Sequence, residues 1–356
     1  MNLFIISYGI IEFDGRLKSI IGVAKNIGDV HLCCCTKYDK DDLYAIRNKY
    51  MDAFTYLGFI RYVVKKLRKE KPDIIISDNL FASIPTLLSI RNKKKVKIIQ
   101  DVRELYFIKD LKKSAKIFAY FENKLMHRSD IILCANEERA SIMTEKFSLS
   151  CKPIVFENIR FLTGTYDEEK MRKKYDGAFK YQYNLISTSG LFMERNTDQL
   201  IKAMGSLDTR FGLFIVGTSS TKDVETMNEI CSEYGIKNVH LIDKVPMNEL
   251  LYIIRQCQIG IVHYHQNDLN NKYCASGKVY EFLNEGLPIV TTENPPLKNF
   301  CEKTGVGIAD ESFYKGITTI ADDYMSYKER IRIFMKDISP EKYNKIIADK
   351  ITERLS

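Results

Sequence analysis

The sequence predicts an α/β protein built from two Rossmann-like units, and three observations carry that expectation. Short apolar runs rich in Ile, Val, Leu and Phe recur from end to end, and segments with helical spacing separate most of them. Such short apolar strands joined by helices imply parallel sheets covered on both faces. A length of 356 residues leaves room for two ordinary domains, and 45% hydrophobic with 28% charged residues is a globular composition.

Taken in order, the first half offers strands at 2–7, 30–35, 73–77, 96–100, 130–134 and 153–156, with helices at 15–27, 52–70, 80–91, 110–128 and 137–146. In the helix near 107–128, Ile108, Leu111, Ala115, Phe118 and Leu125 share one face, as expected of a helix covering a sheet. The opening "MNLFIISYGI" lacks a charged n-region and a small-residue cleavage site, so it reads as a first buried strand. The stretch "RFLTGTYDEEKMRKKYDGAFKYQ" reads as a linker, dividing a first domain, 1–165, from a second, 166–325. The second half repeats the pattern, with strands in "YNLIST", "FGLFIVG", "NVHLID", "IGIVHYH" and "LPIVTT" and helices at 196–206, 222–233, 247–256 and 277–285. The tail from 316 is helical, and no run approaches the roughly 18 apolar residues of a membrane span.

The net charge of +8 is uneven. Residues 1–165 carry 29 Lys and Arg against 19 Asp and Glu, and the remainder 25 against 27. Each basic stretch ("YVVKKLRKEKP", "IRNKKKVK", "IKDLKKSAKIF") is by itself a solvated helix face. Together they point to an anionic membrane surface or lipid-phosphate acceptor rather than nucleic acid, for which no recognised module is present. Nine cysteines, mostly in apolar strands, suit a reducing, cytoplasmic setting. Cys33, Cys34 and Cys35 alternate between strand faces, and no His or Cys pair follows at zinc spacing, which argues against a metal there.

No G-x-G-x-x-G, Walker lysine loop or G-x-S-x-G elbow occurs. His263 and His265 fall on one strand face and suit structural or cleft-lining imidazoles better than a metal pair. The richest stretch is "SGKVYEFLNEGLPIV", 276–290. Ser276 is a natural N-cap, Gly277 clears the first turn, and Lys278 adds a positive charge where a helix end favours phosphate. Glu281, one turn on, can accept from the two hydroxyls of a ribose. The same residues equally describe a capped helix with a Lys–Glu surface pair. Nearby, Gly190 and Gly217 end strands, Arg195 precedes a helix, and a turn falls at Asp243–Pro246. Two α/β domains would place such loops at a cleft between carboxyl strand ends.

In that order, these pieces resemble the retaining family-4 glycosyltransferases of GT-B architecture along nearly the whole chain. "NNKYCASGKVYEFLNEGLPIV" is similar to the family's donor signature, and "GLFMERNTDQLIKAM" to its glycine loop and basic residue. "FDGRLKSIIGVAKNIGDVHL", "KPDIIISDNLFASIPTLL", "QDVRELY" and "RSDIILCANEERASIMTEKF" resemble its first-domain elements. The resemblance implies a hexosyltransferase-like enzyme with a UDP- or GDP-sugar co-substrate and no metal. Glu281 would bind the donor ribose, while Arg195 and Lys278 would neutralise the diphosphate. Gly190, Gly217, Thr218, Ser276 and Gly277 would line the donor site, with Asp243 and Val245 near the base. Gly9, Asp14, Arg16, Asp78, Arg103 and Glu104 would shape the acceptor side. A glycan or lipid-linked acceptor, surface polysaccharide or capsule assembly, and a peripheral place on the inner face of the membrane follow from the same resemblance. So does a tail, 326–356, that crosses back to the first domain.

Three positions depart from the pattern. Tyr273 stands where a first glutamate is frequent, Leu191 where an arginine follows the glycine, and Arg103 where histidine is common. Two rivals stay open: a sugar-nucleotide epimerase, which shares the architecture but which the signature disfavours, and a non-catalytic partner subunit, which Tyr273 and Leu191 favour and Lys278, Glu281 and Arg195 argue against.

Overall fold

The computed structural model describes residues 1–38, 43–46, 52–90, 95–111 and 113–356. Arg91, Lys93, Lys94 and Lys112 of the predicted basic stretches lie outside the described residues. The chain forms two compact units, Met1–Asn158 with Ser339–Ser356, and Ile159–Ile338.

In the first unit the strands are β1 (Asn2–Ile10), β2 (Asp29–Thr36), β3 (Tyr44–Ala45), β4 (Ile74–Asp78), β5 (Lys97–Asp101), β6 (Ile131–Cys134) and β7 (Ile154–Val155). The helices are α1 (Gly15–Lys25), α2 (Ala53–Lys69), α3 (Ser83–Ser89), α4 (Lys113–Met126) and α5 (Glu137–Lys146). All seven described strands are parallel, in the order β3-β2-β1-β4-β5-β6-β7. The continuous apolar run of β1 follows from burial on both faces. Leu3 and Ile5 pack with Leu17 and Ile20 of α1, while Phe4 and Ile6 pack with Phe59 and Val63 of α2. Asp14, Asp52 and Asn136 cap α1, α2 and α5 by accepting from backbone N–H groups three residues on. The predicted helix at 80–91 starts instead as a 3-10 turn, Leu80–Ala82, because Asn79 at φ 71° folds its side chain onto the N–H groups of Phe81 and Ala82.

The second unit contains α6 (Glu168–Lys174), β8 (Tyr183–Ser187), α7 (Thr197–Ser206), β9 (Phe211–Val216), α8 (Thr221–Glu233), β10 (Val239–Ile242), α9 (Met247–Arg255), β11 (Ile259–Val262), α10 (Leu269–Lys272), α11 (Lys278–Asn284), β12 (Ile289–Thr291), α12 (Pro295–Thr304), β13 (Gly307–Ala309), α13 (Tyr314–Asp322) and α14 (Tyr324–Met335). Its six parallel strands run β10-β9-β8-β11-β12-β13. Leu185, Leu213 and Ile259 pack with Leu200 and Ile201 of α7, and Ile186, Val216 and Val262 with Ile253 of α9 and Phe282 of α11. Helix α6, begun by an Asp167 cap, lies inside the stretch expected to be a linker, and the short glycine-containing β13 had no strand signal of its own. The last helix, α15 (Pro340–Leu355), buries Ile347, Ala348 and Ile351 in the first unit's core.

In both sheets the strand order reverses beside the first strand, between β1 and β4 and between β8 and β11. Doubly wound sheets bind ligands at the carboxyl ends near such a reversal. No described helix is long and apolar enough to cross a membrane.

Candidate functional site

At the carboxyl ends of β8 and β9 lies a pocket of about 280 Å³, lined by Thr188, Gly190, Gly217, Thr218, Lys244 and Val245 among others. Its floor is backbone, because Gly190 and Gly217 meet there. Gly217, at φ 136°, would bring a Cβ to 2.9 Å from the Gly190 backbone, and Gly190, at φ 75°, would drive one into the Thr218 carbonyl. Only glycine meets both demands. The hydroxyl of Thr188 is buried there with no hydrogen-bond partner among the described residues. Asp243 does not line this pocket and stays exposed beside Lys244 and Val245.

Arg195 closes a 3-10 turn, Met193–Arg195, and Asn196 at φ 63° turns the chain into α7. His263, just past β11, holds that turn. Its Nδ1 donates to the Arg195 carbonyl at 2.8 Å, and its Nε2 accepts from the Ser187 hydroxyl at 2.9 Å. Burial pulls the His263 pKa down to about 4, and the nearby positive charges of Lys278 and Arg195 pull the same way, so the ring is neutral at pH 7. The two predicted cations are thus both felt at one imidazole. Neither has an ion-pair partner among the described residues.

Ser276 departs from expectation. It does not cap the helix: Gly277 holds the N-cap position, no described side chain caps α11, and the Ser276 hydroxyl is buried without a hydrogen-bond partner among the described residues. The first helical hydrogen bond accepts at the Gly277 carbonyl, from the Glu281 N–H at 3.2 Å, so the helix begins one residue past the serine. Glu281 is buried and lies 2.6 Å from Nε of Arg160. Tyr273 ends α10, and Leu191 is fully buried in the core, so neither places a charge where the resembling family has one.

The first unit's predicted residues gather into one network. Asp78, fully buried at the end of β4, accepts from Arg103 Nε at 2.6 Å and Nη2 at 2.5 Å and from the Ser7 hydroxyl at 2.6 Å. Burial pushes its pKa up to about 6 against the pull of Arg103. Arg103 also donates to Asp14 at 2.8 Å, and Gly9 leaves room for that carboxylate, since a Cβ would stand 2.6 Å from it. Arg16 grips Asp101 with two N–H groups at 2.6 and 3.0 Å and the Phe156 carbonyl with a third. Glu104 is exposed and stands 3.8 Å from Arg139.

No protein-family model matches the sequence, and no curated protein matches it. Solved structures do. HepE of Anabaena in complex with UDP-glucose is 12% identical, covering 99% of this chain and 100% of that one, with a TM-score of 0.74. The chain has the GT-B fold. WaaG, a glycosyltransferase involved in lipopolysaccharide biosynthesis, is 16% identical over 98% of this chain and 99% of that one, at 0.69. A UDP-GlcNAc 2-epimerase from Neisseria meningitidis, bound to UDP-GlcNAc, is 14% identical over 100% and 99%, at 0.60.

Several residues of this GT-B chain were not singled out from sequence. Thr188, Lys244 and Leu250 line the pocket; the first two had only a place in loops after strands as a signal, and Leu250 only a place in the first turn of α9. Asn294, fully buried after β12, donates to the carbonyls of His265, Asn271 and Lys272 and so fixes the loop leading into the signature. Glu122 of α4 is buried, and burial first, then the charges of Glu104 and Asp101, push its pKa up to about 8. That one was findable: it falls between Phe118 and Leu125 on the apolar face. Among the described residues no group of three His, Cys, Asp or Glu could hold a metal ion.

Proposed function

We propose that the protein transfers a sugar from a UDP- or GDP-sugar to a hydroxyl of a glycan or lipid-linked acceptor, with retention at the anomeric carbon. One observation carries this: the second unit holds a pocket floored by glycine backbone and, outside that pocket's lining and close to a neutral His263, two cations, Arg195 and Lys278, with no ion-pair partner among the described residues. Gly190 and Gly217 would admit phosphates and sugar against their N–H groups, and the hydroxyls of Thr188 and Thr218 would bond them. Glu281 would accept from the ribose diol. Arg195 and Lys278 would take up the charge that grows on the diphosphate as the bond from the anomeric carbon to phosphate oxygen breaks, without a metal. The acceptor oxygen then bonds that carbon on the same face, and its proton passes to the departing phosphate. His263 is a positioning residue, holding the Arg195 turn. The fold of HepE, described with UDP-glucose, favours UDP as the first donor to try.

For the acceptor side we propose an anionic membrane, consistent with a peripheral, cytoplasmic enzyme of surface-polysaccharide assembly. A groove of about 560 Å³ on the first unit is lined by Arg61, Lys65, Arg68 and Lys69 with Ile60, Val64 and Leu88. Leu57 of α2, Leu88 of α3 and Ile117 of α4 are exposed. Such a surface suits anionic headgroups with shallow apolar insertion. Co-sedimentation with phosphatidylglycerol vesicles, lost in Arg61→Glu/Arg68→Glu and absent with phosphatidylcholine, is the expected outcome; equal binding to both lipids would refute it.

The donor reading is tested by thermal unfolding with UDP, GDP, CMP and their sugar conjugates, on wild type and Glu281→Ala. A ligand at 100 times its dissociation constant stabilises by about 2.7 kcal/mol. A shift for one base that the variant loses supports the reading. No shift for any nucleotide favours the non-catalytic partner, and conversion of the sugar nucleotide without acceptor favours the epimerase.

A further inference from the structure

Glu281 is already engaged in the free protein. Its carboxylate is 6% exposed and paired with Nε of Arg160, a residue of the same unit whose side chain is 46% exposed. Arg160 reaches it by lying across Gly277, where a Cβ would stand 2.6 Å from Nε. No described residue hydrogen-bonds the two terminal amino groups of Arg160. The Nε side of the guanidinium therefore neutralises the buried carboxylate, while the two terminal amino groups are left open beside the residue that precedes Lys278.

A ribose cannot use Glu281 fully while this pair persists. A guanidinium released from it carries a planar set of donors that matches phosphate oxygens two at a time. Resting on the donor-site reading above, we propose that Arg160 senses the donor. It holds Glu281 in the free protein, yields it to the ribose of an arriving nucleoside diphosphate, and turns its fork onto the diphosphate. The absent side chain at Gly277 gives the guanidinium room for both positions.

Calorimetric titration of the full chain with uridine and UDP, and with guanosine and GDP, tests this on wild type, Arg160→Gln and Arg160→Lys. For the base that binds, Arg160→Gln is expected to weaken the diphosphate about tenfold, while the nucleoside binds as well or more tightly because Glu281 is freed. Arg160→Lys, with a point charge in place of the fork, is expected to fall between, and it carries the test if the glutamine variant does not fold. Equal weakening of nucleoside and diphosphate would make Arg160 a mere support for Glu281 and overturn the proposal, as would an unchanged diphosphate affinity. Wild type that binds neither diphosphate overturns the donor reading itself, and this proposal with it.

Discussion

The two units build the same kind of strand edge and furnish it in opposite ways. In the first, the charges at the carboxyl ends of β1, β4 and β5 satisfy one another: Arg103 with Asp78 and Asp14, Arg16 with Asp101. In the second, the corresponding edge holds glycines and, among the described residues, a threonine hydroxyl with no hydrogen bond and two cations with no ion-pair partner. Buried charge that is fully paired makes a rigid frame, whereas donors left unpaired are available to a ligand. A strand edge rich in functional-looking residues is therefore not by itself a binding site; whether their valences are spent decides.

Breaking the first network should have the largest effect. Arg103→Met leaves Asp78 buried without its partner and is expected to cost about 3–5 kcal/mol in chemical denaturation of the full chain, with partial recovery in Arg103→Met/Asp78→Asn. A loss below about 1 kcal/mol would mean the network is ornamental.

The units should also respond to pH with opposite sign. Folded Glu122 keeps its proton up to about 8 against an ordinary 4.5, so between those values the folded first unit binds the extra proton. Its stability then falls as pH rises, by ~1.4 kcal/mol per unit. Folded His263 stays neutral down to about 4 against an ordinary 6.5, so the unfolded state binds the extra proton. The second unit gains stability as pH rises through that window, at a similar slope. Urea unfolding followed by hydrogen exchange of peptides from each unit should show Glu122→Gln removing the first slope above pH 6, where Asp78 no longer adds to it, and His263→Gln reducing the second, to which His240, pushed down by burial, also adds. A first slope unchanged above pH 6 in Glu122→Gln, or a second unchanged in His263→Gln, would dissolve the contrast.

The smallest effects belong to the open edge. Lys278→Ala should leave stability within about 0.5 kcal/mol while nucleotide affinity falls at least about tenfold. Thr188→Val should leave stability unchanged or raise it by up to about 1 kcal/mol, since it removes an orphaned hydroxyl, yet weaken the same binding. A variant stability loss without a binding loss would make these residues structural.

Much of the fold was legible because its signals are local. β1, β4 and β9 each hold consecutive apolar residues, at 3–6, 74–76 and 213–216, and several helices sit where a cap residue opens an apolar stripe, as Asp52 does for α2. The misses have equally physical causes. β13 is three residues in a glycine-containing stretch, and it exists because Ile289, Val290 and Thr291 offer it an edge. Ser276 looks like a cap in one dimension, but the first helical hydrogen bond accepts at Gly277 instead.

By itself the sequence determined the alternation of strand and helix, the glycine positions that only glycine can fill, and the order of the loops. Periodicity and backbone permissiveness are properties of a few adjacent residues. Only the tertiary structure decided which charges are spent and which are free. Arg103 finds Asp14 across 89 positions, His263 reaches Arg195 across 68, and Arg160 reaches Glu281 from a stretch with no motif. Pairing at that range depends on how strands are ordered in a sheet, and no local pattern encodes the order.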